Sequence, residues 1–144
     1  IDCEDDDCAT AAGCFEDCTN GVDDDGDEDI DCDDADCAND AACRPAPVAF
    51  TFEELQARFD VDCRGCHVFL RNDFRVQTIN VRGGGTNLDR IEPGDHTRSY
   101  IYHKLAGTQA TVGGAGVRMP RGGPFWSVDD LARFAAYIDA LPVQ

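Results

Sequence analysis

The stretch "VDCRGCHVF" (61–69) sets two thiols, Cys63 and Cys66, two residues apart and puts an imidazole, His67, directly after them. On one helical turn, thiols at that spacing can add to both vinyl groups of a porphyrin, and the next residue's imidazole then lies under the iron. Two other chemistries also use paired cysteines. A thioredoxin-like redox pair wants a preceding strand and a following long helix in a βαβ setting, and the sequence shows no such alternation. A zinc site needs two more ligands at matched spacing, and every other cysteine falls within residues 1–43, a stretch of different composition. Covalent haem is therefore the expected chemistry of Cys63, Cys66 and His67.

An iron held this way needs a ligand on its other face. Met119 is the only methionine, and "VRMPRGGP" puts it in a glycine-rich loop before Pro120. An isolated methionine is ordinarily core filler, but one flanked by arginine and proline in a loop is badly placed for that alone. His103 falls near the edge of an apolar helical stripe and is the bis-histidine alternative; His96, beside a helix cap, is weaker still. No proline follows His67 before Pro93, so the usual proline carbonyl partner of the ligand's second nitrogen has no candidate here.

Residues 50–144 resemble the c-type cytochromes through "CRGCH", and the "MP" loop is similar to that of small class I members. The resemblance implies a mainly α fold: a small class I cytochrome c-like helical domain with one covalent haem c, His67 and Met119 as axial ligands, and first and last helices crossing beside the haem. Phe59 with Phe134 or Tyr137 are the contact residues this suggests. Haem propionates need counter-charges or donors, for which Arg82, Arg90, Arg118, Arg121 and Trp126 are eligible, although each taken singly is more often an ordinary surface residue.

A second stretch suits a hard cation. "VDDDGDED" (22–29) places Asp23, Asp25, Asp27 and Asp29 at alternate positions around Gly26, and Asn20 and Asp31 could complete a shell. Alternating carboxylates that converge around a glycine turn favour calcium. The loop is not an EF-hand, because the twelfth position counted from Gly21 is Cys32 rather than a bidentate Glu. It sits inside a repeat: Cys3, Cys8 and Cys14 match Cys32, Cys37 and Cys43 at one constant offset of 29 residues. The full unit adds Cys18, and four cysteines allow three pairings between which sequence does not choose. Seven cysteines in this part mean that at least one must lie unpaired or reach another chain. A charge run is usually a disordered tail, but the shared cysteine register argues for an irregular module stapled by disulfides and calcium. The segment resembles the Asp-rich, Cys-containing calcium repeats of extracellular proteins, such as thrombospondin type 3 repeats and short units of bacterial surface proteins, which implies one or more Ca2+.

The elements that must position the haem ligands are legible from caps. Thr51 and Glu54 form a capping box, with Phe50 against Leu55, and open a helix burying Phe52, Leu55 and Phe59 that runs straight into Cys63. "RIEPGDHTRSYIYHKLAG" reads as a turn and then a helix capped by Asp95, burying Tyr100, Ile101 and Leu105 and stopping near Gly107. Ser127 and Asp130 open a last helix, with Trp126 against Leu131, on which Leu131, Phe134, Ala135, Ile138 and Leu141 follow helical periodicity to Pro142. Between them, Val76, Thr78, Ile79 and Val81 are expected to form a short hairpin strand before the glycines.

Charge divides the chain in the same way. Residues 1–43 hold 18 of the 29 acidic residues and no Lys or Arg, so the formal charge of −17 belongs to one end. Such a surface repels nucleic acid and anionic lipid, and its natural partners are cations. The expected domains are an Asp/Cys-rich module (1–43), a proline-stiffened linker (44–49) and the haem domain (50–144). Nine cysteines in 144 residues argue for an oxidising compartment: extracellular, cell-surface or periplasmic. No apolar run approaches the roughly 18 residues a membrane span requires. The chain opens at Ile1 and is expected to be a processed or truncated product whose export signal has gone.

With both axial positions filled, the economical function is electron transfer, not catalysis, between redox partner proteins or extracellular electron acceptors. Two alternatives stand: a structural subunit of an extracellular cytochrome filament, self-assembling through its N-terminal module, and a haem sensor or peroxidase should Met119 be displaced.

Overall fold

A computed structural model describes residues 16–40 and 42–143. The first cysteine set, Cys3, Cys8 and Cys14, lies outside the described residues. The chain forms two compact units that divide between Ala46 and Pro47, and each is described by itself.

The first unit has almost nothing apolar to bury, and its order comes from covalent and polar ties. Cys18 pairs with Cys37 and Cys32 with Cys43, an interleaved pattern that closes two overlapping loops. Cross-links of this kind contribute about 2–4 kcal/mol each, chiefly by restricting the unfolded chain. Among the described residues its regular elements are two single 3-10 turns, Asp31–Asp33 and Asp36–Asn39. Aspartates build the rest: Asp23 accepts from the amides of Gly26 (2.6 Å) and Glu28 (3.1 Å), Asp27 from that of Asp29 (2.9 Å), and Asp40 from that of Ala42 (2.8 Å). These local carboxylate–amide bonds replace a ladder or helix where no core can enforce one.

The second unit is mainly helical. Helix α1 (Phe52–Asp62) starts at the capping box of Thr51 and Glu54. A single turn (Val68–Leu70) leads to a short α2 (Phe74–Thr78); another (His96–Arg98) leads to α3 (Tyr100–Ala106), and a third (Gln109–Val112) follows it. Helix α4 (Val128–Asp139) starts at the Ser127/Asp130 capping box.

Two local expectations are corrected. The hairpin strand does not form: Val76 and Thr78 lie in α2, because Asp73 caps that segment by accepting from the Arg75 amide, and Phe74 and Thr78, four apart, are buried together. What remains of strand pairing is three isolated bridges, Ile79–Ile91, Arg82–Asp89 and Asp89–Ser99. Asp95 caps the single turn His96–Arg98 and not α3 itself, which begins one residue after that turn and stops at Gly107 with φ +85°.

The core of this unit gathers around Phe59. Its ring meets those of Phe74 (4.8 Å), Trp126 (5.9 Å) and Phe134 (5.9 Å), so α1 packs on α4 through an edge-to-face aromatic pair. Tyr137 lies against Phe74 instead, at 6.2 Å. Ion pairs brace the same crossing: Arg58 with Asp130 and Arg133 with Glu54, both at 3.1 Å. Among the described residues, no helix is long and apolar enough to cross a membrane.

Several caps depend on ionised carboxylates. Donation from Thr97 holds the Asp95 carboxyl below its usual range, the Thr51 amide does so for Glu54, and the Arg75 guanidinium for Asp73. The native state therefore binds fewer protons than the unfolded chain, and the stability these groups give is complete above about pH 4 and lost as pH falls through their lowered native values. Urea midpoints followed by the near-UV signal of Trp126 should fall steadily below about pH 4. Asp95→Asn, which keeps the cap acceptor and removes the charge, should make that slope shallower.

Candidate functional site

Helix α1 does not end freely; it runs into the cysteine turn. The Phe59 carbonyl accepts from the amides of Cys63 (2.9 Å) and Arg64 (3.0 Å), and the Cys63 carbonyl accepts from those of Cys66 (3.1 Å) and His67 (2.8 Å). This winding brings Cys63 and His67 to one wall of a cavity of about 630 Å³, which Met119 also lines. Phe59, Leu70, Tyr100, Ile101 and Leu105 supply apolar wall. Apolar enclosure with a few convergent polar groups is the usual character of a cofactor or ligand cavity of this size. Cys66 is exposed and stands off the wall.

Met119 is held by α3. Its amide donates to the Lys104 carbonyl (2.8 Å), while Tyr100 Oη (3.2 Å) and Lys104 Nζ (3.2 Å) donate to the Ala115 carbonyl. Lys104 Nζ also donates to the Val117 carbonyl, Gln109 Nε2 to that of Gly116 (2.9 Å), and Arg118 Nε back to that of Leu105 (2.8 Å). Burial lowers the Lys104 ammonium from its ordinary value. Sequence reasoning placed Tyr100 in the core and passed over Lys104. The signal available was their i, i+4 spacing on α3, ahead of a loop too glycine-rich to hold itself.

The other two histidines are engaged elsewhere. His103 is buried, with Nε2 2.7 Å from the Thr97 carbonyl and Nδ1 2.8 Å from Thr108 Oγ1. A carbonyl only accepts, so Nε2 carries a proton, and Nδ1 is engaged with the hydroxyl, leaving neither nitrogen open to a metal. His96 Nδ1 lies 2.8 Å from Asp139 Oδ2.

Of the cations eligible as counter-charges, Arg90 and Arg121 line the cavity, and so does Lys104. The other three candidates lie off its lining: Arg82 is tied to Asp89 and the Asn87 carbonyl, Arg118 to the carbonyls of Leu105 and Trp126, and Trp126 Nε1 donates to Asp62 (2.8 Å). Burial, with the Asp62 charge adding and Arg58 opposing, pushes the Cys63 thiol up to about 12.

Among the described residues of the first unit, two sets of carboxylates could hold a metal ion, their oxygens within 4.8 Å of one another: Asp23, Asp25 and Asp27, and Glu16, Asp25 and Asp34. Asp29 and Asp31, expected as ligands with Asn20, are in neither carboxylate set. Asn20 donates to Asp24 (2.6 Å) and accepts from the Val22 amide (2.7 Å), and Asp31 accepts from the Gly21 amide (3.1 Å). Partial desolvation raises the Asp25 carboxyl above its usual value, and the charges of Asp27, Asp34 and Glu16 push the same way. Glu16 and Asp34 escaped sequence reasoning because they lie outside the alternating run. The sulfurs of Cys18, Cys37 and Cys43 also cluster but are spent in disulfides.

Compared with known proteins, the chain matches no family model, no curated protein sequence and no solved structure.

Two outcomes check this geometry. With Cys63 and Cys66 as free thiols, iodoacetamide at neutral pH should modify exposed Cys66 at least about ten-fold faster than Cys63, since the thiolate is the reactive form; peptide mapping reads the order. A Cβ at Gly114 would strike the Tyr100 ring and approach the Gln109 carbonyl to 2.9 Å. Gly114→Ala should therefore destabilise the second unit by about 1–3 kcal/mol in urea unfolding.

Proposed function

We propose that the second unit holds one covalent haem c and that the protein is an extracytoplasmic electron carrier. The observation that supports this most is the convergence of Cys63, His67 and Met119 on one apolar cavity. In this reading Cys63 and Cys66 would hold the haem covalently, His67 and Met119 would be its iron ligands, and Arg90, Lys104 and Arg121 would supply counter-charge to its propionates. Haem iron supplies a one-electron Fe(III)/Fe(II) couple, and histidine–methionine ligation favours a raised potential.

The chain's own residues serve such a couple in three ways. The aromatic and aliphatic walls keep water from the metal's surroundings and lower the local dielectric. The ties from α3 hold the backbone of the loop that carries the Met119 thioether, which would limit its movement on electron transfer. Phe69 and Val117 line the cavity yet are 36% and 55% exposed, which makes an apolar rim through which a partner can approach. The two disulfides support an oxidising location, periplasmic, cell-surface or secreted. The first unit serves as a calcium-binding module for anchoring or assembly.

The spectrum of the oxidised and reduced protein tests this reading. A c-type pattern with the weak red charge-transfer band of methionine sulfur on ferric iron is expected, and Met119→Ala should abolish the band while keeping the covalent haem. A c-type spectrum without the band, together with rapid carbon monoxide uptake by the reduced protein, would replace the carrier with a sensor or peroxidase. Absence of a c-type spectrum in protein matured with the haem-attachment machinery would remove the haem.

A further inference from the structure

We propose that the first unit contains a site for a divalent, oxygen-preferring cation of calcium's kind, built by Glu16, Asp25 and Asp34 around a buried Asp34 anchor, and not by the alternating run that the sequence advertises. The inference rests on the reading of this unit as a cation-binding module and says where in it the ion sits.

Asp34 carries the argument. It is 3% exposed, the only buried charged side chain among the described residues of this unit. Its Oδ1 accepts from the Asp36 amide at 2.6 Å, but Oδ2, equally shielded from water, has no hydrogen-bond partner. A shielded carboxylate oxygen with no donor is unfavourable unless something positive meets it. No Lys or Arg occurs among residues 1–43, and Arg44, the one basic residue of this unit, is exposed and does not partner Asp34 Oδ2. Instead, carboxylate oxygens of Glu16 and Asp25 stand within 4.8 Å of one another and of Asp34. Two further carboxylates beside a buried orphan oxygen repel it, and a cation between them turns that repulsion into attraction.

The donors come from three segments held in place before any ion arrives. Glu16 accepts from the amides of Asp24 (2.9 Å) and Asp31 (3.0 Å), one on each oxygen, which fixes its carboxylate across the loop. Each of those oxygens keeps a second lone pair. Asp34 lies between Cys32 and Cys37, and Glu16 two residues before Cys18, so both disulfides bracket the site. Asp25 accepts one long hydrogen bond, on Oδ1 from the Asp27 amide at 3.3 Å, and its Oδ2 takes none from the described residues. By contrast, the set of Asp23, Asp25 and Asp27 contains no buried carboxylate, and Asp27 is exposed and caps Asp29. The alternating aspartates thus shape the loop, and Asp25 alone is shared with the cluster around Asp34. An all-carboxylate donor set selects calcium-like ions over zinc or copper, which favour imidazole and thiolate.

The test is calorimetric titration of calcium into the full chain, disulfides intact and metal stripped by chelator. The wild type should bind, Asp34→Asn should bind at least about ten-fold more weakly, as loss of a metal-site group typically does, and Asp29→Asn should bind as the wild type does. Asparagine keeps the acceptor for the Asp36 amide. Should Asp34→Asn fail to form its disulfides, Glu16→Gln gives the same reading, and in the wild type calcium should slow reduction of Cys18–Cys37 by dithiothreitol. Weakening by Asp29→Asn with none from Asp34→Asn or Glu16→Gln overturns this site and leaves the module a cation binder. No calcium binding by the wild type removes both.

Discussion

Phe59 is where core and cavity meet, and the second unit depends on its placement. One face of its ring belongs to the aromatic cluster with Phe74, Trp126 and Phe134, while the side chain also forms part of the cavity wall. Its carbonyl takes the amides of Cys63 and Arg64, so the residue that centres the core also dictates where α1 stops and the cysteine turn starts. A well-packed core transmits a shift of any member to its neighbours because there is no free volume to absorb it. The turn carrying Cys63 and His67 is thus registered against the whole core, not against α1 alone.

The two units solve the stability problem by opposite means. The second buries Leu55, Phe59, Phe74, Ile91, Leu105, Phe134 and Ile138 almost completely, and their apolar area outweighs the entropy of ordering the chain. The first has no such area, and crossed disulfides with backbone-capping aspartates take its place. High negative charge is then a structural material as well as a burden, since every amide-bound carboxylate both shapes the loop and adds to its self-repulsion. Reaching the same order with fewer acids would need a hydrophobic core that a segment this short cannot enclose.

How much of this was legible in the sequence follows from the range of each signal. Both capping boxes, at Thr51/Glu54 and Ser127/Asp130, are local and stand in the structure as read. So does the apolar face of α4, where Phe134 and Ile138 are fully buried. The segment around Val76 was misread because β-branched composition suggested a strand, while an Asp73 cap and a four-residue burial period decided for helix. The Asp34 cluster was not readable at all: its members lie up to 18 residues apart and meet only through disulfide pairings that the sequence leaves undetermined. Likewise, the hold of α3 on the Met119 loop runs mostly to backbone carbonyls, which no side-chain pattern reveals.

His103 gives α3 more than a buried side chain. The helix is seven residues long, too short to persist by its own hydrogen bonds, yet the loop bearing Met119 hangs from it. By donating to the Thr97 carbonyl before the helix and bonding the Thr108 hydroxyl after it, the one imidazole acts as a clasp closing both ends of the element. Its two nitrogens are used up in doing so. The histidine that the sequence offers as an alternative to Met119 is thus the brace under the bracket from which the Met119 loop is suspended.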